Sequence, residues 1–380
     1  MSKPLFYGKQ HISQNDVDAV LDTLKSDFLT QGPKVKQFEE ALRTKVTADY
    51  AVACSNGTAA LHLACLSLGV GVGDEVWVPA ISFVASANCA LYTGATVSFL
   101  DVEPLSGNLC VDDLSKKLAR AAEQNRLPKA VVVVHMAGLP CDMQAIANLC
   151  RPLGIAIIED AAHALGSTYI NQAIGACQYS DITTFSFHPV KSITSAEGGM
   201  VLTNNPELAQ KIRTLCSHGI SKTNFTTDTQ YPSWYYEQQE LGYNYRLSDL
   251  HAALGLSQLD KLDDFVHQRQ ALASRYKQAL AELTWQTSPT RGSSAFHLAI
   301  AFFPKDRRDQ IYLALKEQGI HCQLHYMPIY RQPYHDVGAT NYVRFPGAEA
   351  YFSTALSLPL FPDLTHNDQD RVIEAIKELI

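Results

Sequence analysis

Four short segments carry side chains that could act together on an aldehyde, a phosphate and an aromatic ring. In Phe185-Ser186-Phe187-His188-Pro189-Val190-Lys191, followed by Glu197-Gly198-Gly199, an apolar run ends at Ser186. Pro189 prevents regular continuation, so Lys191 falls on a loop just past a strand. A lysine there can form an imine with an aldehyde and carry a proton once released. A surface lysine is the plain alternative, and the flanking SFHP and EGG weigh against it. In Ile158-Glu159-Asp160-Ala161-Ala162-His163, Asp160 ends another apolar strand. A carboxylate there can keep a heterocyclic nitrogen protonated, or it can cap a helix. His163 could stack on such a ring or bond to its edge, or be a satisfied core histidine.

Ser55-Asn56-Gly57-Thr58-Ala59-Ala60-Leu61 follows a strand and opens a helix. Its first N–H groups and the positive end of the helix dipole suit a phosphate, with Gly57 permitting close approach and Thr58 adding a hydroxyl. An ordinary capped turn has the same composition. Ser186 could donate to that phosphate as well. Past Pro79-Ala80-Ile81-Ser82 comes Phe83, which could stack on a flat ring or pack in the core. Jointly these residues supply what pyridoxal 5'-phosphate (PLP) chemistry needs: an amine, a partner for the pyridine nitrogen, a phosphate cradle and a stacking ring.

The elements that must position them read as an α/β fold. Tyr50–Cys54, Glu75–Pro79, Thr96–Leu100, Ala130–His135, Ala156–Glu159, Ile182–Phe187 and Met200–Thr203 are short apolar, β-branched runs. Helical patterns lie between several of them: Thr58–Leu68, Val84–Tyr92, Met143–Leu153 and Pro206–Cys216. The alternation predicts a mostly parallel sheet sandwiched by helices, with ligands beyond the carboxyl ends of the strands. Leu247–Phe265 is a long amphipathic stretch leading into Arg269–Leu283 as a continuing or broken helix. Beyond it, Ala295–Phe303 and Cys322–Leu324 read as strands, and Arg307–Gln318 and His366–Ile380 as helices. The change predicts a large domain over residues 1–250, with an N-terminal arm, and a smaller α+β domain over 251–380. With 380 residues, 46% of them hydrophobic, the chain has material for two cores. Ser221–Ser233 is polar and turn-rich, a loop expected over the cleft or at a subunit contact.

These segments resemble the sugar aminotransferases of the DegT/DnrJ/EryC1/StrS family, from YGKQHI near the start to the last helix. The resemblance implies the aspartate-aminotransferase-like fold (PLP fold type I) and PLP as cofactor. It makes Lys191 the lysine that bonds the cofactor aldehyde and Asp160 the partner of the pyridine nitrogen. It places His163 by the ring hydroxyl, Thr58, Ala59 and Ser186 on the phosphate, and Phe83 on the ring face. Asn244, in LGYNYR, would reach the phosphate of a second subunit's cofactor, which implies a homodimer with shared active sites. YGKQHI, LTQGP, SFHPVKSITSAEGG and WYYEQQELGYNYR look most like the branch that serves pseudaminic acid biosynthesis. That branch aminates C4 of a UDP-linked 4-keto-6-deoxy-N-acetylhexosamine with glutamate as donor. The same likeness makes Tyr7, Thr30, Gln31, His325 and Tyr326 sugar-nucleotide contacts. Ser221–Ser233 has no clear match.

Other classes fit poorly. PLP relatives that dehydrate sugars usually lack the lysine, and an intact Lys191–Asp160 pair weighs against a non-catalytic sugar-binding protein. The run Gly69-Val70-Gly71-Val72-Gly73 precedes a strand, not a helix, so it lacks the phosphate geometry of a dinucleotide fingerprint. No HExxH or GxSxG pattern supports a zinc or serine hydrolase. The nine cysteines are scattered without CxxC pairs, so neither disulfides nor a metal site is expected. A net charge of −7 without a basic run gives no nucleic-acid face, and no apolar stretch suggests a membrane span or signal peptide. A reduced cytoplasm is the expected setting.

Overall fold

The computed structural model describes residues 3–222, 231–288 and 291–380. Its centre is a seven-stranded sheet in the order Tyr50–Cys54, Gly199–Thr203, Ile182–Ser186, Ala156–Asp160, Ala130–Val134, Glu75–Pro79, Thr96–Leu100. Six strands run parallel, and Gly199–Thr203 is antiparallel to both of its neighbours. The strands are short apolar runs because both faces are covered. Val131 and Val133 enter one core with Phe38, Leu42, Leu114 and Ile146, while Val132 and Val134 enter the other with Leu61, Leu63, Cys89 and Ile212. Burying each side chain of this size contributes about 1.5–3 kcal/mol.

A third core surrounds an antiparallel sheet of Thr284–Trp285, Ala299–Phe302 and Ala355–Leu358, packed with Tyr276, Leu315, Val372 and Ile376. Leu5 joins this core because Leu5–Phe6 pairs in parallel with Ile320–His321. That pairing corrects the strand expected at Cys322–Leu324. The ladder forms two residues earlier, where the N-terminal segment supplies a partner, and Gln323 keeps only an isolated bridge to Ser357.

The long amphipathic stretch is two helices, Asp249–Leu259 and Leu262–Ala279, interrupted at Asp260 and Lys261. Ser248 caps the first by accepting from the His251 N–H. Four further helices, Gln14–Leu24, Pro33–Val46, Val111–Glu123 and Pro346–Thr354, cover ground where no element was expected. Asp16 anchors the first of them. Buried, it accepts hydrogen bonds from the Ser13 N–H and from Ser13, Ser257, Gln258 and Lys261 side chains. The loop expected at Ser221–Ser233 lies mostly outside the described residues. Among the described residues, no helix is long and apolar enough to cross a membrane.

Candidate active site

The carboxyl ends of the parallel strands open on a cavity of about 1150 Å³. The helix Gly57–Ser67 starts at its wall. Asn56 caps that helix, its side-chain oxygen accepting from the Ala59 N–H at 2.8 Å. Ala59 lines the cavity, its N–H engaged by the Asn56 cap. The N–H groups of Gly57 and Thr58 open the helix and, as at any helix start, lack an intrahelical acceptor. Ser186 faces them closely. A Cβ on Gly57 would lie 2.7 Å from Ser186 Cβ, and one on Gly199 would lie 2.4 Å from the Asn56 oxygen. The glycines let two strands and a helix start approach closely at the cavity wall.

Asp160 ends its strand at the same edge. Its Oδ1 accepts from the Ala162 N–H at 3.2 Å and its Oδ2 from the Ser86 hydroxyl at 2.6 Å. Lys191 lines the cavity too. Burial brings its amine down to about 8, against the pull of the nearby Asp160 carboxylate. Part of the lysine population is then neutral and nucleophilic near pH 8.

Three histidines surround this amine. Burial, with Lys191 nearby, pushes His163 and His297 well below the ordinary histidine range and His325 down to about 3. The Ala137 N–H donates to His163 Nδ1 at 3.3 Å, so the neutral ring carries its proton on Nε2. That Nε2–H donates to the Tyr326 hydroxyl at 3.2 Å, leaving the phenol proton free for another acceptor. His297 packs on His163 at 4.4 Å, and Ser357 meets His325 Nδ1 at 2.9 Å. Phe83, 56% exposed, stands open in the wall 6.1 Å from the Tyr326 ring, and Tyr7 edges onto His325 at 4.9 Å. An aromatic ring left so open at a concave wall has a face available for stacking.

The cavity thus gathers Tyr7, Thr58, Ala59, Phe83, Asp160, His163, Ser186, Lys191, His325 and Tyr326. Thr30, Gln31 and Asn244 are exposed outside it, Thr30 bridged to Ser248 and Asn244 to Ser217. Sequence reasoning missed Ser82, Tyr92, Tyr245 and His297 in the wall, and Ser86 behind it. The Ser82/Ser86 spacing of four residues at a helix start was the one available signal. Among the described residues, Lys191 is the only lysine or arginine in the lining.

The model of the DegT/DnrJ/EryC1/StrS aminotransferase family matches residues 10–377. The chain belongs to this family. The spore coat polysaccharide biosynthesis protein SpsC of Bacillus subtilis is 38% identical over 98% of this chain and 96% of its own length. Helicobacter pylori PseC, an aminotransferase involved in the biosynthesis of pseudoaminic acid, superposes with a TM-score of 0.90 at 30% identity, covering 99% of each chain. Spr1654 from Streptococcus pneumoniae in its PLP form superposes at 0.88 with 28% identity, over 99% of this chain and 98% of its own. The architecture is the type I fold expected from the sequence.

Proposed function

We propose that this aminotransferase uses PLP to move an amino group from glutamate to a nucleotide-linked keto-sugar. We further propose that the acceptor is C4 of a UDP-linked 4-keto-6-deoxy-N-acetylhexosamine of the pseudaminic acid route. One observation carries the reading: Lys191 and Asp160 open into one cavity, between an open aromatic face and a helix start suited to phosphate. Its residues fit the cofactor. Thr58, Ala59 and Ser186, with Gly57 beside them, would hold the phosphate, Phe83 one ring face, Asp160 the pyridine nitrogen and His163 the ring hydroxyl.

Bound there, PLP supplies an aldehyde and an electron-accepting ring. Asp160, acceptor-only as a carboxylate, would hold the protonated ring nitrogen. Lys191 would hold the aldehyde end of the cofactor, and its amine would carry a proton from the donor's α-carbon. Such general acid–base catalysis is worth about 10²–10⁴-fold. Three neutral imidazoles crowd this amine without adding fixed charge, so it can gain and lose that proton near neutral pH.

The likeness to the family, in which the residue matching Asn244 reaches a second subunit's cofactor, favours a homodimer. In it Thr30, Gln31 and Asn244 of one copy would complete the other's cavity, while Tyr7, His325 and Tyr326 would contact the sugar-nucleotide within a copy. Residues 1–250 would form the cofactor-binding unit and 251–380 the smaller one.

A second reading keeps the chemistry and changes the sugar. The 38% identity to SpsC exceeds the 30% to PseC, which favours a keto-sugar of another polysaccharide route. Incubation with glutamate and a panel of UDP- and dTDP-linked 4-keto-sugars, read by mass and proton NMR, separates the two. Amination of the UDP-linked N-acetylated sugar supports the first reading. Amination of a dTDP-linked sugar alone overturns it and keeps the family activity. Retained turnover in Lys191→Ala would overturn both.

A further inference from the structure

We propose that Ser86, backed by Ser82, is a positioning residue that fixes the direction and hydrogen-bond state of Asp160 toward the cofactor ring. The inference rests on the cofactor reading above. Ser86 is fully buried in the first turn of the helix Ala85–Leu91 and is absent from the cavity wall. Its Oγ lies 2.6 Å from Asp160 Oδ2 and 2.6 Å from Ser82 Oγ. A hydroxyl has one proton to give. An ionised Asp160 can only accept, so the Ser86 proton goes to Oδ2. Ser82 must then donate to Ser86, and the chain runs one way, from Ser82 through Ser86 to Asp160.

Two properties follow. The first is rigidity. With Ser86 on Oδ2 and the Ala162 N–H on Oδ1, Asp160 is held at both oxygens. Rotating the carboxylate would leave a fully buried hydroxyl without its acceptor, a costly state. Hydrogen bonds in such a chain also polarise one another, so loss of Ser82 is felt at Asp160 through Ser86. The second is polarity. Ser82 and Asp160 both line the cavity, joined behind its wall by Ser86. With its proton spent on Ser86, Ser82 turns only acceptor capacity toward the ring. Asp160 and Ser82 then both turn acceptor capacity toward the cavity. That selects the protonated ring nitrogen over the neutral one.

The test compares wild type, Ser82→Ala, Ser86→Ala and the double variant, each prepared without cofactor and titrated with PLP. Two quantities are read: the PLP dissociation constant and the rise in Tm that saturating PLP produces. Ser86→Ala is expected to weaken PLP binding about tenfold and to shrink the Tm rise. Ser82→Ala should act in the same direction by about two- to threefold, because it works only through Ser86. The double variant should be no worse than Ser86→Ala alone, the mark of two residues in one chain.

PLP affinity within twofold of wild type in Ser86→Ala would overturn the proposal. So would Ser82 and Ser86 effects that multiply in the double variant, or equal Tm losses with and without PLP. If Ser86→Ala does not fold, Ser82→Ala decides by the same two readings. Wild-type protein that binds no PLP would overturn the cofactor reading itself, in a sample that contains neither substitution.

Discussion

Gly57→Ala tests the phosphate cradle with one methyl group. The added carbon would sit 2.7 Å from Ser186 Cβ and 3.1 Å from its Oγ. Carbon atoms pack comfortably at about 3.5–4.0 Å, so the helix start and the Ser186 strand end must separate by about 1 Å. Neither yields easily. The Ser186 strand is paired on both sides, and Gly199 already closes on the Asn56 carbonyl. Overpacking of this kind costs about 1–3 kcal/mol. If cofactor binding requires the unparted geometry, that cost weakens PLP binding by about 5- to 150-fold. The assay is a PLP titration followed by absorbance and tryptophan quenching, with the Tm of the cofactor-free protein measured alongside. Adding Ser186→Gly removes the clash. It should recover the Tm while leaving affinity low, since the hydroxyl is gone. A Gly57→Ala protein with wild-type affinity and wild-type Tm would refute the steric argument.

Two further predictions concern pH. With its amine lowered to about 8, Lys191 becomes neutral at lower pH than an ordinary lysine. The rate at which cofactor-free protein bonds PLP should therefore rise with a midpoint near pH 8 and level off about one unit above it. A midpoint near the ordinary lysine value, seen by stopped-flow absorbance, would contradict the burial of the amine. Asp16 is lowered to about 2: Lys261, Ser257 and Ser13 stabilise its carboxylate, opposed by burial, the largest single effect. A depressed carboxyl gives stability that is full above its unfolded value and is lost as pH falls toward the folded one. Asp16→Asn should cost about 3–5 kcal/mol at pH 7, with the penalty shrinking below pH 4 in urea unfolding; a pH-independent penalty would disprove the linkage.

The seven central strands were legible because each is buried on both faces, which writes an unbroken apolar run into the chain. Their direction was not. Gly199–Thr203 looks like its neighbours because burial, not polarity of the chain, selects its residues. The rule that ligands sit at strand carboxyl ends brought Lys191, Asp160, Phe83 and Ser186 to one place before any coordinates. The Asn56 cap on the Ala59 N–H was the plain alternative reading of that segment, and the structure has it. Ser86 was invisible for another reason. Its importance lies in a contact with Asp160, 74 positions away, and nothing local to either residue announces it. His297 was hidden likewise, because the strand that follows it explains its apolar setting well enough.

The short ladder between Leu5–Phe6 and Ile320–His321 has a consequence for how the protein is made. Tyr7, next along the chain, lies in the cavity wall beside His325 and accepts from the Leu360 N–H. A nascent chain carries its first residues for most of translation with nowhere to dock them. The strands of the central sheet are all made by residue 203, but this wall waits for residues 320–325. Fragments that stop short of residue 320 should therefore lack a finished pocket.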